Sequence, residues 1–155
     1  MKTTREENAA LVRRFLTDVV AGGDTDAVET LVTEDIADRN LVFGDEQARE
    51  HEVTTLGWRV LAGTDIDIDI KQVVASNEQV AVRATATGTH RESLLDLAPT
   101  GRSFEIAYAW FCRVDDGQIA AIWSLPDGLG LLQQLDAIPR LPSNRSPTTD
   151  RTPEQ

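Results

Sequence analysis

Apolar positions in the first part of the chain recur at spacings of three and four. Leu11, Phe15, Leu16, Val19 and Val20 form one stripe, preceded by Thr4 and Glu7, or Thr3 and Glu6, at capping-box spacing. Gly22 and Gly23 close this first predicted helix. Asp24 is placed to cap a short second helix through Ala27, Val28, Leu31 and Val32, and the polar TEDIADRN after it reads as loop. Asp45 opens a third helix, in which Val53, Leu56, Gly57, Val60 and Leu61 make one broad apolar face ending near Gly63.

From Asp65 the period falls from 3.6 to 2. Asp65, Asp67 and Asp69 share one face of DIDIDIKQVV, and Ile66, Ile68 and Ile70 share the other. Three carboxylates at alternate strand positions have no loop to gather their oxygens, so they read as a solvated face and not as a cation site. A turn at Ser76-Asn77-Glu78 returns the chain as QVAVRATATGTH; a loop, RESLLDLAPTGR, leads to SFEIAYAWFCRV, which Asp116-Gly117 folds back onto QIAAIWSL. Helices followed by antiparallel strands give an α+β order. The strand before the Asp-Gly turn is apolar on both faces, with Phe104, Ile106, Tyr108, Trp110 and Cys112 on one and Ala107, Ala109 and Phe111 on the other. One layer of helices covers only one side of a sheet. A homo-oligomer, most simply a two-fold dimer, is therefore expected to cover the second.

Composition narrows the function classes. The 155 residues suit one domain, placed at residues 1–139, with the Pro-, Ser- and Thr-rich residues 140–155 expected as a flexible tail. A formal charge of -11, from 26 acidic and 15 basic residues, disfavours nucleic acid and anionic membranes as partners. With Lys2 and Lys71 the only lysines, this balance is also consistent with a halophilic source. The polar N-terminus lacks signal-peptide character, and no apolar run reaches the ~20 residues of a membrane span, so a cytoplasmic location is expected. Cys112 stands alone in an apolar run and reads as a buried thiol. His51, on the third predicted helix, and His90 are isolated from each other and from any cysteine pair, which argues against a zinc site.

Three segments together, GTHRESLLDLAPTGRSF, RVDDGQIAAIW and DGLGLLQQL, resemble in order and spacing the SnoaL-like polyketide cyclase family. The resemblance covers roughly residues 85–138, and the helical first half agrees in element order. It implies the NTF2-like fold: a strongly bent antiparallel sheet wrapped by three N-terminal helices around a deep, largely apolar pocket. It also implies a small-molecule ligand and ring closure by intramolecular aldol condensation without metal or organic cofactor. Such chemistry needs a carboxylate whose proton affinity is raised by a dry pocket, plus a group that delivers a proton to the carbonyl oxygen.

Carried over residue by residue, the resemblance exposes two departures. The acid-base Asp of the aromatic polyketide cyclases falls on Ser124, and their pocket His falls on Trp110. Serine has no useful proton affinity near neutral pH, and an indole nitrogen donates but does not accept. The nearest remaining carboxylate is Asp127, which matches an Asp common across the wider family and also stands at the natural N-cap of the last short helix. His90 matches the family's G-x-H position and is a candidate to donate to a ligand or exchange protons, the alternative being a structural histidine that bonds its own loop.

The hairpin register decides which side chains share the pocket. A three-residue Asp115-Asp116-Gly117 turn places Tyr108 opposite Ser124 and Trp110 opposite Ile122; a two-residue Asp116-Gly117 turn places Trp110 beside Trp123. The first keeps Trp110 and Ser124 on one face, as the family pocket requires, and is preferred.

The candidate site is thus Asp127 and His90 for chemistry, with Tyr108, Trp110, Ser124 and Trp58 for ligand contact and no metal. The function expected is binding of a small apolar or carbonyl-bearing molecule, with cofactor-free acid-base chemistry of the cyclisation or isomerisation type. The alternative is a non-catalytic binding or assembly module that has lost the cyclase groups. A related epoxide hydrolase or isomerase lacks a recognisable full set of catalytic groups here.

Overall fold

The computed structural model describes residues 2–40, 65–93 and 97–139, with backbone alone for 37–40. The third predicted helix, carrying His51 and Trp58, and the 140–155 tail lie outside the described residues.

Helix α1 (Arg5–Arg14) starts at a reciprocal capping box: the Glu7 N–H donates to Thr4 Oγ1 at 3.2 Å, and the Thr4 N–H donates to Glu7 Oε2 at 2.8 Å. The helix continues in π-helical form over Phe15–Ala21. This wider turn keeps Val12, Phe15, Leu16, Val19 and Val20 buried together, while Leu11 is half-buried at the margin. Gly23, at φ +69, then turns the chain. Asp24 Oδ1 accepts the Ala27 N–H at 3.2 Å ahead of helix α2 (Val28–Leu31).

Strand β1 (Val32–Asn40) corrects the expectation of a longer second helix followed by loop. Val32 and Ile36 are buried and Glu34 and Asp35 exposed, so a sparse alternation hides inside a polar sequence. β1 lies parallel to the last strand, and its partner supplies the extra tie. The Gln118 amide donates to the carbonyls of Thr30 and Val32, both at 3.2 Å.

Strands β2 (Asp67–Ala75), β3 (Gln79–Thr89), β4 (Ser103–Asp115) and β5 (Gln118–Pro126) complete a curved, unclosed sheet of order β1-β5-β4-β3-β2. The family's mixed fold is therefore present as expected, with one more strand than the periodicity predicts. Along β4 the even-numbered side chains from Phe104 to Val114 are buried, and on β3 so are Val80, Val82, Ala84 and Ala86. Small residues face large ones across the ladder: Ala84 pairs with Tyr108 and Gly88 with Phe104. A methyl group at Gly88 would stand 2.9 Å from the Phe104 ring, so the glycine makes room for that side chain. The buried stripe of α1 and its π-helical continuation packs with this face in one core.

Helix α3 (Gly128–Gln134) follows β5 and closes an open edge. β4 runs past the end of β5, where Tyr108 pairs with Pro126. Beyond that point Gln134 replaces a strand: its amide oxygen accepts the Glu105 N–H at 2.8 Å, and its Nε2 donates to the Glu105 carbonyl at 2.9 Å. An Arg102–Asp136 ion pair at 3.3 Å ties the chain just beyond α3 to the same end of the sheet.

Candidate functional site

The β4–β5 hairpin sets the site, and it does so by a register that neither turn alone predicts. Asp115 pairs with Gln118 around a two-residue turn in which Asp116 (φ 48) and Gly117 (φ 80) are both left-handed, the geometry of a type I′ turn. Between Arg113 and Val114 the register then shifts, with Ala120 the extra residue on β5. The two-residue turn corrects the preferred three-residue one, and the β-bulge undoes the Trp110–Trp123 pairing that a plain two-residue turn would give. Trp110 instead faces Ser124, and Phe111 faces Trp123.

The consequence is a row across four strands: Val82, Trp110, Ser124 and Asn40 are successive register partners from β3 to β1. Trp110 and Ser124 are buried, at 1% and 8% exposure. Tyr108, two residues from Trp110 on the same face, stacks on it with ring centroids 4.0 Å apart and an interplanar angle of 3°. The structure thus brings Tyr108, Trp110 and Ser124 together on the inner, helix-covered face. The indole N–H and the two hydroxyls are the polar groups on this aromatic wall.

His90 continues the same face at the far end of β3. Its N–H donates to the Arg102 carbonyl at 2.8 Å and its carbonyl accepts from Gly101 at 2.9 Å, extending the β3–β4 ladder. Eight residues separate it from Val82, the partner of Trp110, which is at most about 27 Å along an extended strand. The ring is 1% exposed. Nδ1 accepts the Thr100 N–H at 3.1 Å and lies 2.9 Å from Thr100 Oγ1, whereas Nε2 is buried with no hydrogen-bond partner among the described residues.

Asp127 stands elsewhere. Its backbone N–H donates to the Ala107 carbonyl at 2.9 Å, its side chain is exposed, and Oδ1 accepts the Gly130 N–H at 2.9 Å as the N-cap of α3. Gly130 is part of that cap, because a Cβ there would lie 2.2 Å from Asp127 Oδ2. Trp58 lies outside the described residues.

Among the described residues the buried polar side chains are Asn8, His90 and Ser124, so no carboxylate lies on the buried face. Asn8 is structural: its Nδ2 donates to the Ser76 carbonyl at 3.0 Å, pinning α1 to the β2–β3 turn. Among the described residues no three His, Cys, Asp or Glu side chains gather as a metal site would require. No described helix is long and apolar enough to cross a membrane.

Two participants escape a reading of the sequence. Thr100 sits in the P-T-G-R segment, and only the turn at Gly101 (φ +69) reveals that it folds back onto His90. Asn40 joins the Trp110–Ser124 row only because β1 is a strand.

Comparison with solved structures finds the same fold. IdmH of Streptomyces antibioticus, a polyketide cyclase candidate, is 24% identical with a TM-score of 0.70 over 82% of this chain and 96% of its own. TsrD of Streptomyces laurentii is 23% identical with a TM-score of 0.76, over 88% and 100%. An epoxide hydrolase of the LEH-like type from M. tuberculosis is 19% identical with a TM-score of 0.65, over 86% and 92%. No curated protein matches the sequence. The family model for the SnoaL-like polyketide cyclases matches residues 10–135, which take in most of the described helices and the whole sheet, and the chain therefore belongs to the SnoaL-like polyketide cyclase family.

Proposed function

We propose that this protein binds a small, largely apolar, carbonyl-bearing molecule against the inner face of its sheet. In this reading it also promotes cofactor-free proton transfer at the carbon beside the carbonyl, with Asp127 as the acid-base group. The observation that carries the reading is the stacked Tyr108–Trp110 pair facing Ser124 on the buried face. A flat aromatic wall bearing a few fixed polar groups suits a planar, conjugated ligand. A carbonyl polarised by hydrogen bonds there makes its neighbouring C–H more acidic, and a carboxylate within reach then takes the proton.

The test is hydrogen–deuterium exchange at the acidic carbon of a panel of β-dicarbonyl compounds, with wild type, Asp127→Asn and His90→Ala. Exchange above buffer that falls in Asp127→Asn supports the reading; equal rates in all three and in buffer overturn its catalytic part.

A second reading, binding without transformation, is favoured by one observation. Asp127 is exposed and already engaged in capping, while the buried described face carries no carboxylate. Saturable binding with no exchange selects it.

The outer face supports a further part of the proposal, a two-fold pair of chains. Val74, Phe111 and Leu125 are 60%, 51% and 47% exposed, and Val74, Phe111 and Trp123 border a shallow groove of about 320 Å³. Apolar side chains of this size on an open sheet face suit burial against a second copy.

A further inference from the structure

A buried polar atom without a partner costs roughly 1–3 kcal/mol, so such atoms are rare in folded chains and call for an explanation. His90 Nε2 is one. Its other nitrogen shows which of the two carries the hydrogen. Nδ1 accepts the backbone N–H of Thr100 at 3.1 Å, and a proton on Nδ1 would collide with that donor. Thr100 Oγ1, 2.9 Å from Nδ1, itself accepts the Arg102 N–H at 3.3 Å, which leaves its own proton to point at the imidazole. Both Thr100 groups therefore aim hydrogen at Nδ1, and the ring hydrogen must reside on Nε2. The loop is held for this purpose by backbone: the His90 N–H and carbonyl bond Arg102 and Gly101, and Gly101 takes the left-handed turn that brings Thr100 over the ring.

We infer that Thr100 is a positioning residue that locks His90 in the Nε2–H tautomer, so that His90 serves a bound ligand as a hydrogen-bond donor to a carbonyl oxygen and not as a base. This rests on the ligand-binding reading above and assigns His90 its role within it. The inner face then presents polar contacts at two separated places, the Trp110–Ser124 row and His90, which suits a ligand longer than a simple diketone. The donor role also fits the chemistry: a hydrogen bond from Nε2 stabilises the negative charge that develops on a carbonyl oxygen as the neighbouring carbon loses its proton.

The test is imidazole-selective 15N NMR of the full chain, free and titrated with benzoylacetone and its heptyl-chain homologue. The chain has two histidines, and a His51→Gln variant assigns the signals. The expected result is a pyrrole-type Nε2 and a pyridine-type Nδ1 for His90 in wild type. Thr100→Val keeps the backbone N–H on Nδ1 and loses the hydroxyl, so Nε2 should stay pyrrole-type while the Nδ1 signal moves downfield toward a weakly bonded pyridine-type nitrogen, with about three- to tenfold weaker binding, the size of one lost hydrogen bond, and Thr100→Ser should restore both. On titration the Nε2 proton should move downfield. A proton on Nδ1 in wild type, or a Thr100→Val variant unchanged in Nδ1 shift and affinity, overturns the assignment of Thr100. Saturable shifts of the Trp110 indole with an unmoved His90 Nε2 proton overturn the donor role and leave the binding reading intact. No saturable shift with either probe sinks the binding reading and the donor role together.

Discussion

Trp110 on β4 lies directly across from Ser124 on β5, both buried, because an extra residue at Ala120 resets the hairpin after its Asp-Gly turn. This pairing puts a hydroxyl beside an indole at the two positions onto which the resemblance maps the acid-base Asp and pocket His of the aromatic polyketide cyclases. Ser124→Asp places a carboxylate against that indole and Tyr108. It should lower the urea unfolding stability by about 2 kcal/mol, since a buried charge without a partner is costly. If the inner face retains cyclase geometry, the same variant should exchange β-dicarbonyl protons faster than wild type, measured by the loss of the C–H signal in heavy water.

Asp127→Ala removes the cap of α3 and should cost about 1 kcal/mol, whereas Asp127→Asn keeps a capping oxygen and should stay within about 0.5 kcal/mol of wild type. Gly130→Ala should mimic the Ala variant, because its methyl group displaces the carboxylate. Urea titrations of the three separate the structural use of Asp127 from any chemical one. A fall in exchange rate in Asp127→Asn at unchanged stability belongs to chemistry alone.

Gln134 acts as a one-residue strand along β4. Gln134→Ala should strip protection from the Glu105 amide in hydrogen-exchange NMR by about tenfold, with far smaller changes at Thr87 on the facing strand. Uniform loss of protection across β4 would mean that α3 is holding the whole sheet, contrary to this account.

Phe111→Glu places a charge in the outer groove. Sedimentation velocity should show wild type as a dimer and the variant as a monomer with an unchanged circular dichroism spectrum. A monomeric wild type would overturn the two-fold pair.

Much of this architecture is legible in the sequence because burial is one-sided. The alternation of Phe104, Ile106, Tyr108, Trp110 and Cys112 predicts their shared buried face, and the capping box at Thr4 and Glu7 predicts where α1 begins. What escaped depends on partners distant in the chain. β1 looks like loop because, among its described side chains, only Val32 and Ile36 are buried, and its pairing with β5 is supplied from residues about 85 positions later. The hairpin register is not legible for two reasons: the sequence reading prefers a three-residue turn where the chain forms a two-residue one, and the bulge at Ala120 leaves no local sign. Of the candidate residues, Tyr108, Trp110 and Ser124 meet as their strand parity requires. His90 shares their face at a distance, and its tie to Thr100 depends on a loop whose closure no periodicity reports.

The most direct test is a ligand titration followed through the indole N–H signals, with Trp110 assigned from a Trp110→Phe variant and Trp123 from Trp123→Phe. The account predicts that benzoylacetone or its heptyl homologue saturably shifts the Trp110 signal and leaves Trp123, on the outer face, in place. A saturable shift confined to Trp123, or no shift at Trp110 up to the solubility limit of both probes, would contradict it.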